Sequence, residues 1–178
     1  MKKGLLFAAL AAMFLVSCEE DEDENDNGNN NQANTYLRID GQELRFNPNA
    51  EVIEYGDNGN GVYNFDLVMF TEGISVINDD SISGNGYYVY FEMWTSNENA
   101  LENGTYNLDL QAGQVANNIT VGIIAEVIDG GEGDQTLYID GSLDLSGSSN
   151  DAKTVTGSIT SMANEEAEFR FTGNFRYQ

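Results

Sequence analysis

From Thr35 to the C-terminus the chain alternates apolar and polar side chains with a period of two, in runs separated by Gly, Asn and Asp. That period puts every second side chain on one face, which is the pattern of half-buried strands. The runs are Thr35 to Ile39, Gln42 to Phe46, Glu51 to Tyr55, Val62 to Thr71, Tyr87 to Ser96, Thr105 to Leu110, Asn118 to Ile128, Thr136 to Leu145, Thr154 to Ser161 and Ala167 to Tyr177. No stretch here keeps an apolar period of 3.6 over three turns, so the pattern predicts an all-β domain. The positions expected inside are Tyr63/Phe65/Leu67/Met69, Tyr87/Val89/Phe91/Met93, Tyr106/Leu108/Leu110, Ile119/Val121/Ile123/Ala125/Val127, Leu137/Ile139/Leu143/Leu145 and Phe169/Phe171/Phe175.

Asp40-Gly41 between the first two runs supplies the positive φ angles of a type I′ turn. Pairing about it sets Leu37 against Leu44 on one face and Arg38 against Glu43 on the other. About ten strands joined by short turns predict an antiparallel β-sandwich, favoured by uneven strand lengths, with a closed antiparallel β-barrel resembling the calycins as the alternative. A membrane-spanning barrel needs apolar outer faces, whereas the outward positions read Asn64/Asp66, Asn107/Asp109, Asp140/Ser142/Asp144 and Glu168/Arg170. Ile39-Asp40-Gly41 and Ile139-Asp140-Gly141 repeat a phrase with unmatched flanks, which reads as shared turn chemistry rather than duplication.

The first 34 residues have a different character. Lys2 and Lys3 precede an uncharged apolar run from Gly4 to Val16, too short to span a bilayer as a helix and suited to a secretory signal. Leu15-Val16-Ser17-Cys18 closes the run and resembles the bacterial lipobox, which implies a signal peptide over 1–17 and acylation of Cys18, the chain's single Cys. Acyl chains of palmitoyl type contribute about 0.8 kcal/mol per buried methylene, so two or three anchor a protein firmly. Glu19-Glu20-Asp21-Glu22-Asp23-Glu24 follows at once, then an Asn-rich stretch to Asn34, giving a self-repelling tether over 18–34 ahead of the domain at 35–178. An acidic run directly behind a lipidated Cys resembles the export signal of Bacteroidota-type surface lipoproteins. That resemblance implies an outer-membrane protein facing the cell exterior. Glu92-Met93-Trp94-Thr95-Ser96 and Leu101-Glu102-Asn103-Gly104-Thr105-Tyr106 resemble strand phrases of small all-β lipoproteins in the same group. No functional residue transfers from that likeness.

Charge and composition narrow the chemistry. The chain has 30 acidic and 7 basic residues, no His and a formal charge of -23. Anionic partners such as nucleic acid are disfavoured, because phosphate contacts depend on clustered Lys and Arg. The lack of His removes Ser/His, Cys/His and His-metal arrangements. Carboxylate-only catalysis is the remaining enzymatic route, and a non-enzymatic binding module for a glycan or a protein is the leading expectation. A structural or assembly component of a cell-surface complex or appendage is the alternative. No cofactor is expected; the oxygen-rich turns Asp57 to Gly61, Asn78 to Asp80 and Gly130 to Asp134 offer at most weak Ca²⁺ binding, since none has EF-hand spacing. Asp80-Ser81-Ile82 resembles the O-glycosylation acceptor of the same bacteria, which makes Ser81 a candidate modification site. The candidate ligand face is Tyr88, Tyr90, Glu92 and Trp94, which share one side of their strand, with Asp66 set beside Glu92 if the preceding strand pairs with it as an antiparallel neighbour.

The anchor is directly testable. Cys18 is expected as the acylated mature N-terminus by intact mass and N-terminal mapping. A chain that begins at Met1, or a Cys18→Ala variant that is still cleaved and membrane-bound, contradicts it.

Overall fold

The computed structural model describes residues 35–78 and 81–178. The expected signal peptide, Cys18 and the expected acidic tether, together with the pair Asp79-Asp80, lie outside the described residues. The described residues are strands joined by turns and irregular loops, and no helix occurs among them. β1 (Tyr36–Ile39) and β2 (Gln42–Leu44) form the first hairpin, and β3 (Phe46–Asp57) continues from it. β4 (Tyr63–Thr71), β5 (Ile74–Asn78), β6 (Ser81–Gly84) and β7 (Gly86–Thr95) follow. Then come β8 (Gly104–Leu108), β9 (Asn118–Ile128), β10 (Gly131–Ser146), β11 (Ala152–Ser161) and β12 (Glu166–Tyr177).

The opening hairpin forms as its sequence dictates. Asp40 and Gly41 have φ of 51° and 73°, Leu37 pairs with Leu44 and Arg38 with Glu43, and the Arg38 Nε lies 2.8 Å from Glu43 Oε2. Leu37 is fully buried while Arg38 and Glu43 face solvent.

Ten strands make one mixed sheet in the order β11-β10-β8-β9-β7-β4-β3-β12-β1-β2, and β11 also pairs with β12. That extra pairing, from Ala152↔Asn174 to Thr160↔Glu166, joins the sheet to itself. The all-β expectation of about ten strands therefore holds, and the hydrogen bonding follows a closed ring, the barrel alternative, with opposite walls sharing one core as sandwich layers do. Two seams are parallel, β12 with β3 and β8 with β9. At each a short strand is wedged in: β1 lies against β12 where β3 has not yet begun to pair, and β8 lies against β10 beyond its pairing with β9.

Inside the ring, Phe65, Leu67, Met69, Val89, Phe91, Met93, Tyr106, Leu108, Leu143, Leu145, Phe169, Phe171 and Phe175 join one core, as alternation predicts. Leu101, in the loop between β7 and β8, joins the same core though no strand pattern marks it. The core is apolar while β10 and β12 turn Asp140, Asp144, Glu168 and Arg170 outward, the reverse of a barrel built for lipid.

Two strands depart from strict alternation. Pairing of β7 with β9 shifts register between Glu92 and Met93, so Ile119 and Ile124 face inward while Val121 and Ile123 turn to the outside. In β10 a shift between Tyr138 and Asp140 does the same: Tyr138 is fully buried, and Leu137 and Ile139, expected inside, are exposed. A bulge inserts one residue and exchanges the faces beyond it. Asp140-Gly141 is thus no turn but the bend within β10, where Gly141 has φ of 127° and a Cβ would meet the Ser158 carbonyl at 2.2 Å.

Ala125 and Val127 are buried on the outer side. There the β5–β6 hairpin folds back, and Phe70, Ile74 and Val127 form a second small cluster with Val68, Ile82 and Tyr88 against it.

The bulge assignment has a measurable consequence in the stability of paired variants. Tyr138→Ala should cost about 3 kcal/mol or more in urea denaturation, as for an aromatic side chain removed from a packed core. Leu137→Ala, one residue away, should cost less than about 1 kcal/mol. The opposite order would restore the uninterrupted alternation.

Candidate functional site

On the outer face of β3, β4, β7 and β9 the register lines up side chains in rows across the sheet. Asp66 sits opposite Glu92, with Ile53 beyond Asp66 and Val121 beyond Glu92. The next row runs Glu51, Val68, Tyr90, Ile123 and Leu137. Trp94 stands opposite Asn64 on the other side of the Asp66 row. The Asp66–Glu92 pairing is the one the sequence suggests, and all of Tyr88, Tyr90, Glu92 and Trp94 lie on this face, away from Val89, Phe91 and Met93.

The side chains differ in what they reach. Trp94 is only 3% exposed, and its Nε1 donates to Thr120 Oγ1 at 2.8 Å. Thr120 in turn donates to Glu92 Oε2 at 2.5 Å, so the indole, the hydroxyl and the carboxylate form one chain. Tyr88 lies toward the β5–β6 hairpin, and its hydroxyl donates to Glu132 Oε1 at 2.6 Å. Tyr90 and Glu92 are half-buried.

Asp66 is the unusual member. It is 5% exposed, although it points outward from the ring. Burial pushes its carboxyl up from 3.8 to about 6, the phenols of Tyr90 and Tyr55 oppose that by hydrogen bonding, and the Glu92 charge adds to it. Its Oδ1 has no hydrogen-bond partner. The same cluster raises Tyr90 and Tyr55, in each case first by burial and then by the Asp66 charge. Leaving a buried acceptor unpaired costs about 1–3 kcal/mol, and more for a charged one.

Tyr55 and Thr120 belong to the patch and are not evident from alternation. Both stand where pairing slips: Tyr55 lies in the shift between Glu54 and Gly56, and Thr120 is skipped where Val121 pairs with Glu92 and Ile119 with Met93. The sequence signal for the first is Gly56, whose φ is 83°; for Thr120 no local signal exists.

Elsewhere the candidates are dispersed. Ser81 opens β6 and is half-buried. Asp57 Oδ1 accepts from the Gly59 amide at 2.7 Å. Gly130 turns the chain from β9 into β10 with Asp129, at φ of 77° and 49°. No group of three or more His, Cys, Asp or Glu that could hold a metal occurs among the described residues. Two shallow depressions on the β1, β10, β11 and β12 side include no residue of the Asp66 patch. Comparisons with protein-family models, curated proteins and solved structures found no match.

The raised Asp66 carboxyl makes stability depend on pH with a defined sign. Well below the unfolded value of 3.8 the group is protonated both folded and unfolded, and no penalty exists. As pH rises toward and through 6 the unfolded chain ionises first, so the folded state loses stability relative to it, by about 2–3 kcal/mol. Asp66→Asn should therefore exceed the parent chain in stability at pH 7 to 8, with the gain fading toward pH 4, measured by urea denaturation across that range. Equal stabilities at pH 8 would show the carboxylate solvated or paired.

Proposed function

We propose that the chain is a lipoprotein of the outer membrane, anchored through Cys18 and facing the cell exterior, whose β domain binds a glycan or a protein without catalysing a reaction. The observation that carries the reading is the outer patch at Asp66, Glu92, Tyr55 and Tyr90. An outward sheet face is ordinarily covered with solvated polar side chains, and here aromatic rings enclose a buried carboxyl instead. Aromatic side chains are enriched at recognition hot spots because they offer a large contact area with little conformational entropy to lose. Glycoside hydrolysis by a carboxyl pair calls for a substrate held between the two acids. The outer surface of an unbroken ladder, where Asp66 and Glu92 are direct cross-strand neighbours, supports binding in preference to it.

The apolar side chains Leu137 and Ile139 continue the patch along β10 at 42% and 36% exposure. They favour a protein ligand over a small solute, because exposed apolar side chains beside polar ones are typical of protein contact surfaces.

The reading is tested on the full lipidated chain. External protease should digest it in intact cells, and replacement of Glu19 to Glu24 by Ala should hide it while leaving it made and anchored. Glycan-array and surface-protein binding should require Tyr90 and Tyr55, each lowered severalfold on replacement by Ala. Full binding by both variants would remove the patch as the site. Stoichiometric co-purification with appendage subunits, unaffected by either variant, would favour an assembly role.

A further inference from the structure

Resting on the reading of this face as a binding surface, we propose that its ligand group is an organic cation, the ammonium or guanidinium head of a partner protein's basic side chain, held by Asp66 and Glu92 beneath Tyr55 and Tyr90. Four observations converge on that class.

The first is the orphaned acceptor. Asp66 lies on the outer face of its strand at 5% exposure, and its Oδ1 is buried with no hydrogen-bond partner. The second is charge. Asp66 and Glu92 stand opposite one another, yet among the described residues the ion pairs join Arg38 with Glu43 and Glu168 and Arg176 with Glu51, and none reaches this pair. A bound cation would supply both the donor that Oδ1 lacks and the missing charge, and a hydrogen bond between ions is about twice as strong as a neutral one.

The third is the rings. Tyr90 and Tyr55 border the Asp66 carboxyl, and aromatic faces attract organic cations through their quadrupole. Tyr55 stands at the β3 bulge and is 41% exposed, so it can turn aside to admit a side chain. The fourth concerns the competing ligands. A metal ion such as Ca²⁺ asks for six to eight oxygen donors, and two carboxylates beside phenols fall short. A neutral sugar stacks on open rings, and here Trp94 is covered at 3% exposure and tied to Thr120, which leaves Tyr55 as the one exposed ring of the patch; a sugar would also bring no charge to the Asp66–Glu92 pair.

The overall charge acts in the same direction. Residues 35–178 carry 23 acidic and 5 basic side chains, a field that draws cations toward the surface and repels anions.

Trp94, the chain's single Trp, is linked through Thr120 to Glu92 and serves as the reporter. The mature lipidated chain in detergent micelles is titrated with Nα-acetyl-lysine amide and Nα-acetyl-arginine amide, with the neutral Nα-acetyl-norleucine amide, and with glucosamine beside N-acetylglucosamine. A Lys-containing peptide should bind more tightly than any of them. The cationic probes should shift Trp94 emission and the neutral ones should not. Binding should weaken at least about tenfold in Asp66→Asn, and also in the parent chain as pH falls from 7 to 5, because protonated Asp66 offers no charge. Circular dichroism checks that the variant is folded, and Glu92→Gln gives a second, independent loss.

Equal response to N-acetylglucosamine and glucosamine, insensitive to pH, would overturn the cation class and leave the binding face standing. Cation binding unchanged in both Asp66→Asn and Glu92→Gln would place the cation elsewhere. Tighter binding of glucosamine than of the Lys peptide would make a cationic sugar, not a protein, the source. No response to any cationic probe overturns the proposal.

Discussion

Pairing of Asn174 to Tyr177 alongside Asn49 to Val52 converts what would be a meander with two free edges into a closed ring. Free edges expose rows of unpaired backbone groups and invite pairing with other chains. The junction spans 125 residues, so closing it draws β3 and β12 together over most of the domain. Side chains on both strands fit that approach. Gly173 lacks the Cβ that would meet the Pro48 carbonyl at 2.2 Å, and Pro48, which has no N–H to donate, stands just ahead of the pairing. Phe171 meets Phe46 edge-on at 6.0 Å and Tyr177 meets Phe65 at 6.3 Å, so the strand that closes the ring also brings aromatic rings into its core. Contacts this distant in sequence make folding slow compared with a local meander.

How far the sequence could be read depends on whether the relevant property belongs to one strand or to two. The Asp40-Gly41 hairpin is local chemistry, and its register follows from four residues. Inward faces of β4, β8 and β12 are likewise properties of single strands and alternate as written. Val121, Ile123, Leu137 and Ile139 fail because the bulges that turn them outward arise from how β7 pairs with β9 and how β10 pairs with β11. An apolar residue next to another apolar residue, as in Gly122-Ile123-Ile124-Ala125 and Leu137-Tyr138-Ile139, carries no sign of which side it takes. The β5–β6 hairpin, which buries Ala125 and Val127 from outside, is invisible for the same reason.

The candidate site repeats that division. Tyr88, Tyr90, Glu92 and Trp94 share a face by period alone, and Asp66 opposite Glu92 needs only a hairpin-like register between β4 and β7. Tyr55 and Thr120 arrive by bulges in neighbouring strands, and they alter the chemistry. Tyr55 helps enclose Asp66, and Thr120 ties Trp94 to Glu92. The indole is thereby withdrawn from the surface on which the sequence places it, and Tyr55, half-buried Tyr90 and Glu92 form the accessible rim over the covered Asp66 carboxyl.

Charge then explains why such a pair is notable in this chain. With 23 acids among 144 residues from Thr35 onward, most carboxylates can only be tolerated where water solvates them. Glu43, Asp144 and Glu168 are outward and hydrated or paired. Three of the five basic residues are engaged elsewhere: Arg38 crosses the β2, β1 and β12 surface, Arg176 meets Glu51 at 3.7 Å, and Lys153 donates to Asn103 at 2.8 Å. A sequence optimised only for stability would put Asn or Thr at position 66, since a buried carboxyl beside another acid lowers the stability of the folded state at neutral pH. Retaining Asp66 there, under two phenols and without a donor for Oδ1, is the kind of local cost that folded proteins carry at sites whose partner comes from outside the chain.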